Sequence, residues 1–214
     1  MGGGRFITFE GGEGAGKSTQ LRLLAQALEA RGLPVLTTRE PGGSAGAEAI
    51  RGLLVTGETG RWDGLTEALL HYAARRDHLR RTILPALAGG TWVLCDRFND
   101  STLAYQGFGH GADRRELDAL YRMVAGDLRP DLTLILDLPV EQGLARAGVR
   151  NGAGGEDRYE RMDRTFHERL RQGFLAIAEA EPGRCAVIDA AAGPEAVHAA
   201  ILATVLARLP EGAA

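Results

Sequence analysis

The sequence predicts an α/β fold: a parallel five-stranded sheet with helices on both faces. Three observations carry this. Five short apolar runs rich in β-branched residues recur along the 214 residues: RFITFE, PVLTTRE, TWVLCDR, LTLILDL and CAVID. They are near-continuous rather than alternating, as strands covered on both faces are. The segments between them carry helical periodicity, and strand–helix alternation of this kind implies a doubly wound sheet with ligands at the carboxyl ends of its strands.

In chain order, RFITFE is the first strand and runs straight into a glycine-rich turn. A helix follows over Ser18 to Arg31, stopped by Gly32 and Pro34. PVLTTRE is the second strand, and the Pro-Gly-Gly corner of TREPGGS turns the chain into the next helix. A long helix is predicted from about Leu65 to Ala88, closed by Gly89-Gly90. TWVLCDR is the third strand and LTLILDL the fourth; Pro139 opens the helix after it, and Pro194 opens the last helix after CAVID. One stretch breaks the rhythm. Residues 148–164, GVRNGAGGEDRYERMDR, are first glycine-rich and then highly charged, and are predicted to be a short mobile lid over phosphate within a single domain spanning residues 1–214.

Composition narrows the function classes. Hydrophobic residues at 44% and charged residues at 25% are ordinary for a globular domain. A net charge of -3 argues against a broad nucleic-acid-binding face. No secretory signal is visible, and AILATVLARL near the end is too short to span a membrane. Cys95 and Cys185 sit in apolar strand runs and read as buried thiols. A cytoplasmic enzyme is expected.

The turn in FITFEGGEGAGKSTQ fits G-x-x-x-x-G-K-[ST] from Gly11 to Ser18, and its strand–turn–helix setting is the one the motif demands. It makes the fold P-loop NTPase-like. Gly11, Gly12, Glu13, Gly14, Ala15, Gly16, Lys17, Ser18 and Thr19 are the expected ATP-binding residues. Backbone N–H groups and the helix N-terminus favour the phosphates, Lys17 reaches the β- and γ-phosphates, and Ser18 holds Mg²⁺. No N-K-x-D motif points to a GTPase, and no strand ends in paired acids as in a motor. A small kinase remains. Asp96 and Arg97 follow the third strand and so emerge at its carboxyl edge, Asp96 suited to the Mg²⁺ shell and Arg97 to a bidentate phosphate grip. Arg39 and Glu40 end the second strand, and a second anion site is expected where the two strands deliver their arginines.

FEGGEGAGKSTQ, TREPGGS, HYAARRDH, DRFNDSTLAYQG and EDRYE together, in this order over nearly the whole chain, resemble the thymidylate kinases of bacteria. The resemblance implies transfer of the γ-phosphoryl of ATP, with Mg²⁺, to dTMP, giving dTDP and ADP, by a homodimer. It implies that Arg97 holds the dTMP phosphate, that Arg39 or Glu40 borders that pocket, and that Arg51 lies near the base or phosphate. Arg75 matches an arginine that contacts thymine, and His71, four residues before it, an aromatic residue that stacks on it; Tyr72 is the neighbouring alternative. Ser101, Tyr105 and Gln106 match the wall of the nucleoside pocket. Among Arg146, Arg150 and Arg158, Arg150 is the expected lid cation acting in transfer. The carboxylate of Glu13 inside a phosphate cradle has two readings: it faces the 3′-hydroxyl of the acceptor sugar, or it braces the loop against the backbone or an arginine.

Overall fold

The computed structural model describes residues 3–150 and 158–210, with the side chains of 149 and 150 outside that description. Five strands form one sheet: β1 (Phe6–Glu10), β2 (Val35–Arg39), β3 (Trp92–Asp96), β4 (Leu132–Asp137) and β5 (Cys185–Asp189). Their order is β2-β3-β1-β4-β5 and every pairing is parallel. All five predicted strands form. Nine α-helices flank them among the described residues: α1 (Lys17–Glu29), α2 (Ala45–Val55), α3 (Gly64–His78), α4 (Leu84–Ala88), α5 (Asn99–Thr102), α6 (Arg114–Ala125), α7 (Val140–Arg150), α8 (Arg164–Ala180) and α9 (Pro194–Arg208). Among the described residues no helix is long and apolar enough to cross a membrane.

Alternation along β1 divides the core into two layers. Ile7 and Phe9 point to the side holding Leu24 of α1 and Ile201 of α9. Phe6 points to the other side, with Phe98, Leu117 of α6 and Phe174 of α8. Burying side chains of this size contributes about 1.5–3 kcal/mol each relative to exposure. The expectation of strands covered on both faces holds for β1, β3 and β4 but not for β2, whose residues are only half-buried because it is an edge strand. Cys95 and Cys185 are buried free thiols.

Two boundaries differ from expectation. The first helix starts at Lys17 and ends at Glu29. The long helix expected over Leu65 to Ala88 is one continuous helical run but not one regular helix. Its α3 portion passes into a π-helical turn, Leu79–Ile83, before α4. A second π-helical segment, Leu103–Gly109, follows α5 and carries Tyr105 and Gln106. Wide turns of this kind cluster at functional sites, because they re-aim side chains that a regular helix would direct elsewhere.

Candidate active site

The carboxyl ends of β1, β2 and β3 open onto a cavity of about 510 Å³, a size suited to a small ligand. The phosphate loop forms one wall. Gly11 and Gly14 lie at φ 129° and 68°, where a side chain is strained. Their close packing has the same consequence, since a Cβ on Gly14 would stand 2.0 Å from the Gly143 carbonyl of α7. Gly16 begins α1, whose first turn holds no acid to repel an anion. Lys17 Nζ donates to the Gly12 carbonyl at 2.7 Å and the Gly11 carbonyl at 3.2 Å. Burial, and then the Arg97 charge, lower the Lys17 pKa to about 8, partly offset by Glu13 and Asp96. Ser18 Oγ donates to Asp96 Oδ2 at 2.6 Å, bringing the two residues expected at the metal side by side.

Arg97 forms the opposite wall. It is the one non-glycine residue among those described with positive φ, at 68°. Its Nη1 donates to the Gly11 carbonyl at 3.0 Å and to Ser101 Oγ at 3.1 Å, and its Nη2 to Glu13 Oε1 at 2.9 Å. The guanidinium also lies over the Tyr105 ring, 5.0 Å from its centroid. The Tyr105 hydroxyl donates to the same Glu13 oxygen at 2.6 Å. Burial alone would push the Glu13 carboxyl up, but the charges of Arg97 and Lys17 and the Tyr105 hydroxyl more than offset it and hold it at about 2. Glu13 is therefore ion-paired with Arg97, as the bracing reading of this acid expects.

α3 supplies the third wall. His71 and Arg75, one turn apart, share a face and both line the cavity. His71 Nε2 lies 3.0 Å from the Tyr159 hydroxyl. Burial, then the surrounding arginines Arg75, Arg158, Arg97 and Arg51, lower the His71 pKa to about 3, so the ring is neutral and free to stack. The Tyr72 alternative is overturned. Tyr72 points into the core, its hydroxyl 3.0 Å from Asn99 Oδ1 and 2.9 Å from the Leu117 carbonyl. One residue is 100° of helix, and that rotation takes it off the cavity face.

Several further residues take parts that their order along the chain concealed. Glu40 reaches the cavity, yet both its oxygens are engaged: Arg75 Nε donates to one at 2.7 Å, and His78 Nδ1 lies 3.1 Å from the other. It orients Arg75, whose remaining bonds go to Asn99 Oδ1 and Thr102 Oγ1. Arg39 lies at the exposed rim, paired with Glu48 at 3.1 Å, and Arg51 donates to the Pro41 carbonyl at 2.7 Å. Gln106 is buried and donates to Glu67 Oε1 at 2.7 Å. Arg158 is not a solvent-side lid cation. It is 1% exposed, bound to the carbonyls of Leu54, Glu58 and Thr59 and ion-paired with Glu67. A buried arginine requires that many partners. Arg146 donates to the Ala190 carbonyl. The Arg150 side chain and residues 151–157 of the expected lid lie outside the described residues. Sequence reasoning missed Glu10, Asn99, Thr102, Glu67 and Tyr159. The acid ending the first apolar strand was the single signal that pointed to any of them.

A phosphate loop on a five-stranded parallel sheet, facing an arginine-lined second pocket across one cavity, defines a P-loop nucleotide kinase. Comparison with known proteins narrows this further. The family model for thymidylate kinase matches residues 9–201. The thymidylate kinase of Caulobacter vibrioides is 60% identical over 206 residues, covering 96% of this chain and 98% of that one. That of a Bradyrhizobium species (strain BTAi1) is 55% identical over 208 residues, covering 97% and 92%. The crystal structure of thymidylate kinase from Ehrlichia chaffeensis superposes with a TM-score of 0.76 at 38% identity, covering 95% of this chain and 99% of that one. The chain belongs to the thymidylate kinase family. It is a phosphotransferase of nucleotide biosynthesis that phosphorylates dTMP with ATP as donor.

Proposed function

We propose that the two walls of the cavity divide the reaction between them. The loop from Gly11 to Thr19 holds the ATP phosphates, with Lys17 at the transferring group. Arg97 grips the dTMP phosphate, His71 stacks on the base, Arg75 and Gln106 meet its edge, and Ser101, Tyr105 and Arg51 line the nucleoside pocket, with Arg39 and the Glu40-oriented Arg75 at its border. The observation that supports this most is the pairing of Arg97 with Glu13 across the mouth of the loop. Arg97 Nη1 and Lys17 Nζ both donate to the Gly11 carbonyl, so the two cations converge on the part of the loop where the transferring phosphoryl group would carry its charge. Phosphoryl transfer asks little covalent chemistry of a protein, so alignment and fixed charge carry the rate.

Ser18 and Asp96 fit Mg²⁺, because they present two hard oxygen atoms beside the phosphate cradle and such a site is completed by substrate phosphates. The ion supplies charge neutralisation at the transferring phosphates. Glu13 accepts a hydrogen bond from the acceptor sugar once dTMP draws Arg97 toward its phosphate. Arg150 brings the lid's positive charge to the transition state, and Arg150→Ala is expected to lower kcat with little change in either KM. The enzyme acts as a cytoplasmic homodimer. Exposed Leu53, Leu69 and Met123 on the adjoining helices α2, α3 and α6 support that association, and light scattering tests it.

The experiment for the acceptor site is Arg97→Ala, with dTMP and ATP titrated separately. Loss of a partly desolvated bidentate contact is expected to weaken dTMP by about 2–4 kcal/mol and ATP far less. Equal losses for both nucleotides would place Arg97 elsewhere.

A further inference from the structure

Glu10, the last residue of β1, is completely buried. Its Oε1 accepts the Phe98 N–H at 2.8 Å, and its Oε2 accepts the Ser101 hydroxyl at 2.5 Å. Both donors follow Arg97 in the chain, one at the next residue and one a helical turn on. The Arg97 N–H itself is bound to the Phe9 carbonyl at 2.9 Å, so the end of β1 holds both peptide N–H groups that follow Asp96. Between them Arg97 is kept in the left-handed region, at φ 68°. A side chain adopts that conformation only when its surroundings impose it.

Ser101 extends this control from the backbone to the guanidinium. In its carboxylate form Glu10 can only accept, and the serine proton is then directed to it. A serine lone pair is thereby left to receive Arg97 Nη1 at 3.1 Å. Arg97 is thus aimed by a hydroxyl whose direction Glu10 dictates. A neutral amide in place of Glu10 keeps an oxygen for the peptide N–H but puts an NH2 group, which cannot accept, where Oε2 receives the serine proton. Burial, and then the Asp100 charge, push the Glu10 carboxyl up to about 7, while Ser101, Arg97 and the Phe98 N–H pull it back.

We propose that Glu10 is a positioning residue for acceptor binding: it holds the left-handed Arg97 backbone through the Phe98 N–H and aims the Arg97 guanidinium through the Ser101 hydroxyl. The proposal rests on the reading of Arg97 as the grip on the acceptor phosphate. Glu10 acts through Arg97: its side-chain hydrogen bonds go to Phe98 and Ser101 rather than to the phosphate loop. A buried acid that served only to stabilise the fold would affect both substrates alike.

The test is Glu10→Gln in the full-length enzyme, with KM measured separately for dTMP and ATP, and with Arg97→Ala and Ser101→Ala alongside. Glu10→Gln is expected to raise the KM for dTMP about tenfold and the KM for ATP no more than about twofold. In the Ser101→Ala background the further effect of Glu10→Gln should shrink below about twofold, since coupled residues are not additive. Equal rises in both KM values, an unchanged KM for dTMP, or a full additive effect in the Ser101→Ala background each overturns the proposal. If Arg97→Ala itself leaves dTMP binding intact, the phosphate-grip reading fails first and the proposal with it. If Arg97→Ala impairs dTMP and Glu10→Gln does not, the proposal alone fails. Should Glu10→Gln not fold, Ser101→Ala carries the same expectation of a dTMP-selective KM rise, and an unselective effect overturns the relay.

Discussion

Lys17 is 8% exposed and donates to two loop carbonyls, so the side chain proposed to meet ATP is already inside the cradle and already desolvated. Lys17→Ala should lower kcat by roughly 100-fold or more, the usual consequence of removing one preorganised charge from a transition state. Because Lys17 begins α1 at the cavity and lies in neither core layer, its thermal unfolding should match the wild type. An unchanged kcat in steady-state assays would refute the donor wall as drawn. Glu13 makes a prediction about acid. Its pKa falls from 4.5 unfolded to about 2 folded, so its stabilising contribution is complete above 4.5 and is lost as pH drops from there toward 2. By linkage that contribution is on the order of 3 kcal/mol. Glu13→Gln should therefore be less stable than wild type at neutral pH, and the two should converge near pH 2 in urea titrations. A constant difference across that window would mean that the Arg97 pair does not hold the carboxylate.

Elements meet at Arg158. It joins carbonyls in the last turn of α2 and just beyond it to Glu67 of α3, while the adjacent Tyr159 hydroxyl donates to Glu67 at 2.9 Å and its ring packs edge-on to Tyr105. Arg158 and Tyr159 are thereby locked to the wall of the cavity by a buried ion pair. Arg158→Met would leave Glu67 charged and buried beside an apolar chain. Breaking one side of such a pair is expected to destabilise by about 3–5 kcal/mol, readable in denaturant unfolding. Arg158→Met with Glu67→Gln should recover part of that loss, since the uncompensated charge is gone. No recovery would show that the carbonyl bonds of Arg158, rather than its charge, hold the segment.

Across the whole molecule the ligand and the two core layers are linked through the sheet ends. β1 carries the phosphate loop at its tip and packs Phe6 on one side and Phe9 on the other, so any ligand held by the loop braces both layers. ATP at about 100 times its Kd should add about 2.7 kcal/mol to stability. In a chain of 214 residues that corresponds to a rise in Tm of about 5–10 °C. Scanning calorimetry with and without ATP and Mg²⁺ measures it. The rise should largely disappear in Lys17→Ala, and a full rise in that variant would contradict the role of Lys17 in binding.

The sequence by itself determined the five strands, the phosphate loop and the Asp96–Arg97 corner. Those signals are local: an apolar run is a buried strand, and glycine is favoured where φ is positive. It also determined that His71 and Arg75 share a helix face, since that follows from the helical repeat alone. Only the tertiary structure decided which charges pair. Glu40 turns to Arg75, Arg158 to Glu67, and Glu10 to Ser101, and each partner lies on a different element. No periodicity records such a pairing, because it arises where separate elements pack and a buried charge must find whichever partner the fold brings within reach. The same holds for the π-helical turns and the left-handed Arg97, which are conformations that packing imposes on residues whose own preferences lie elsewhere.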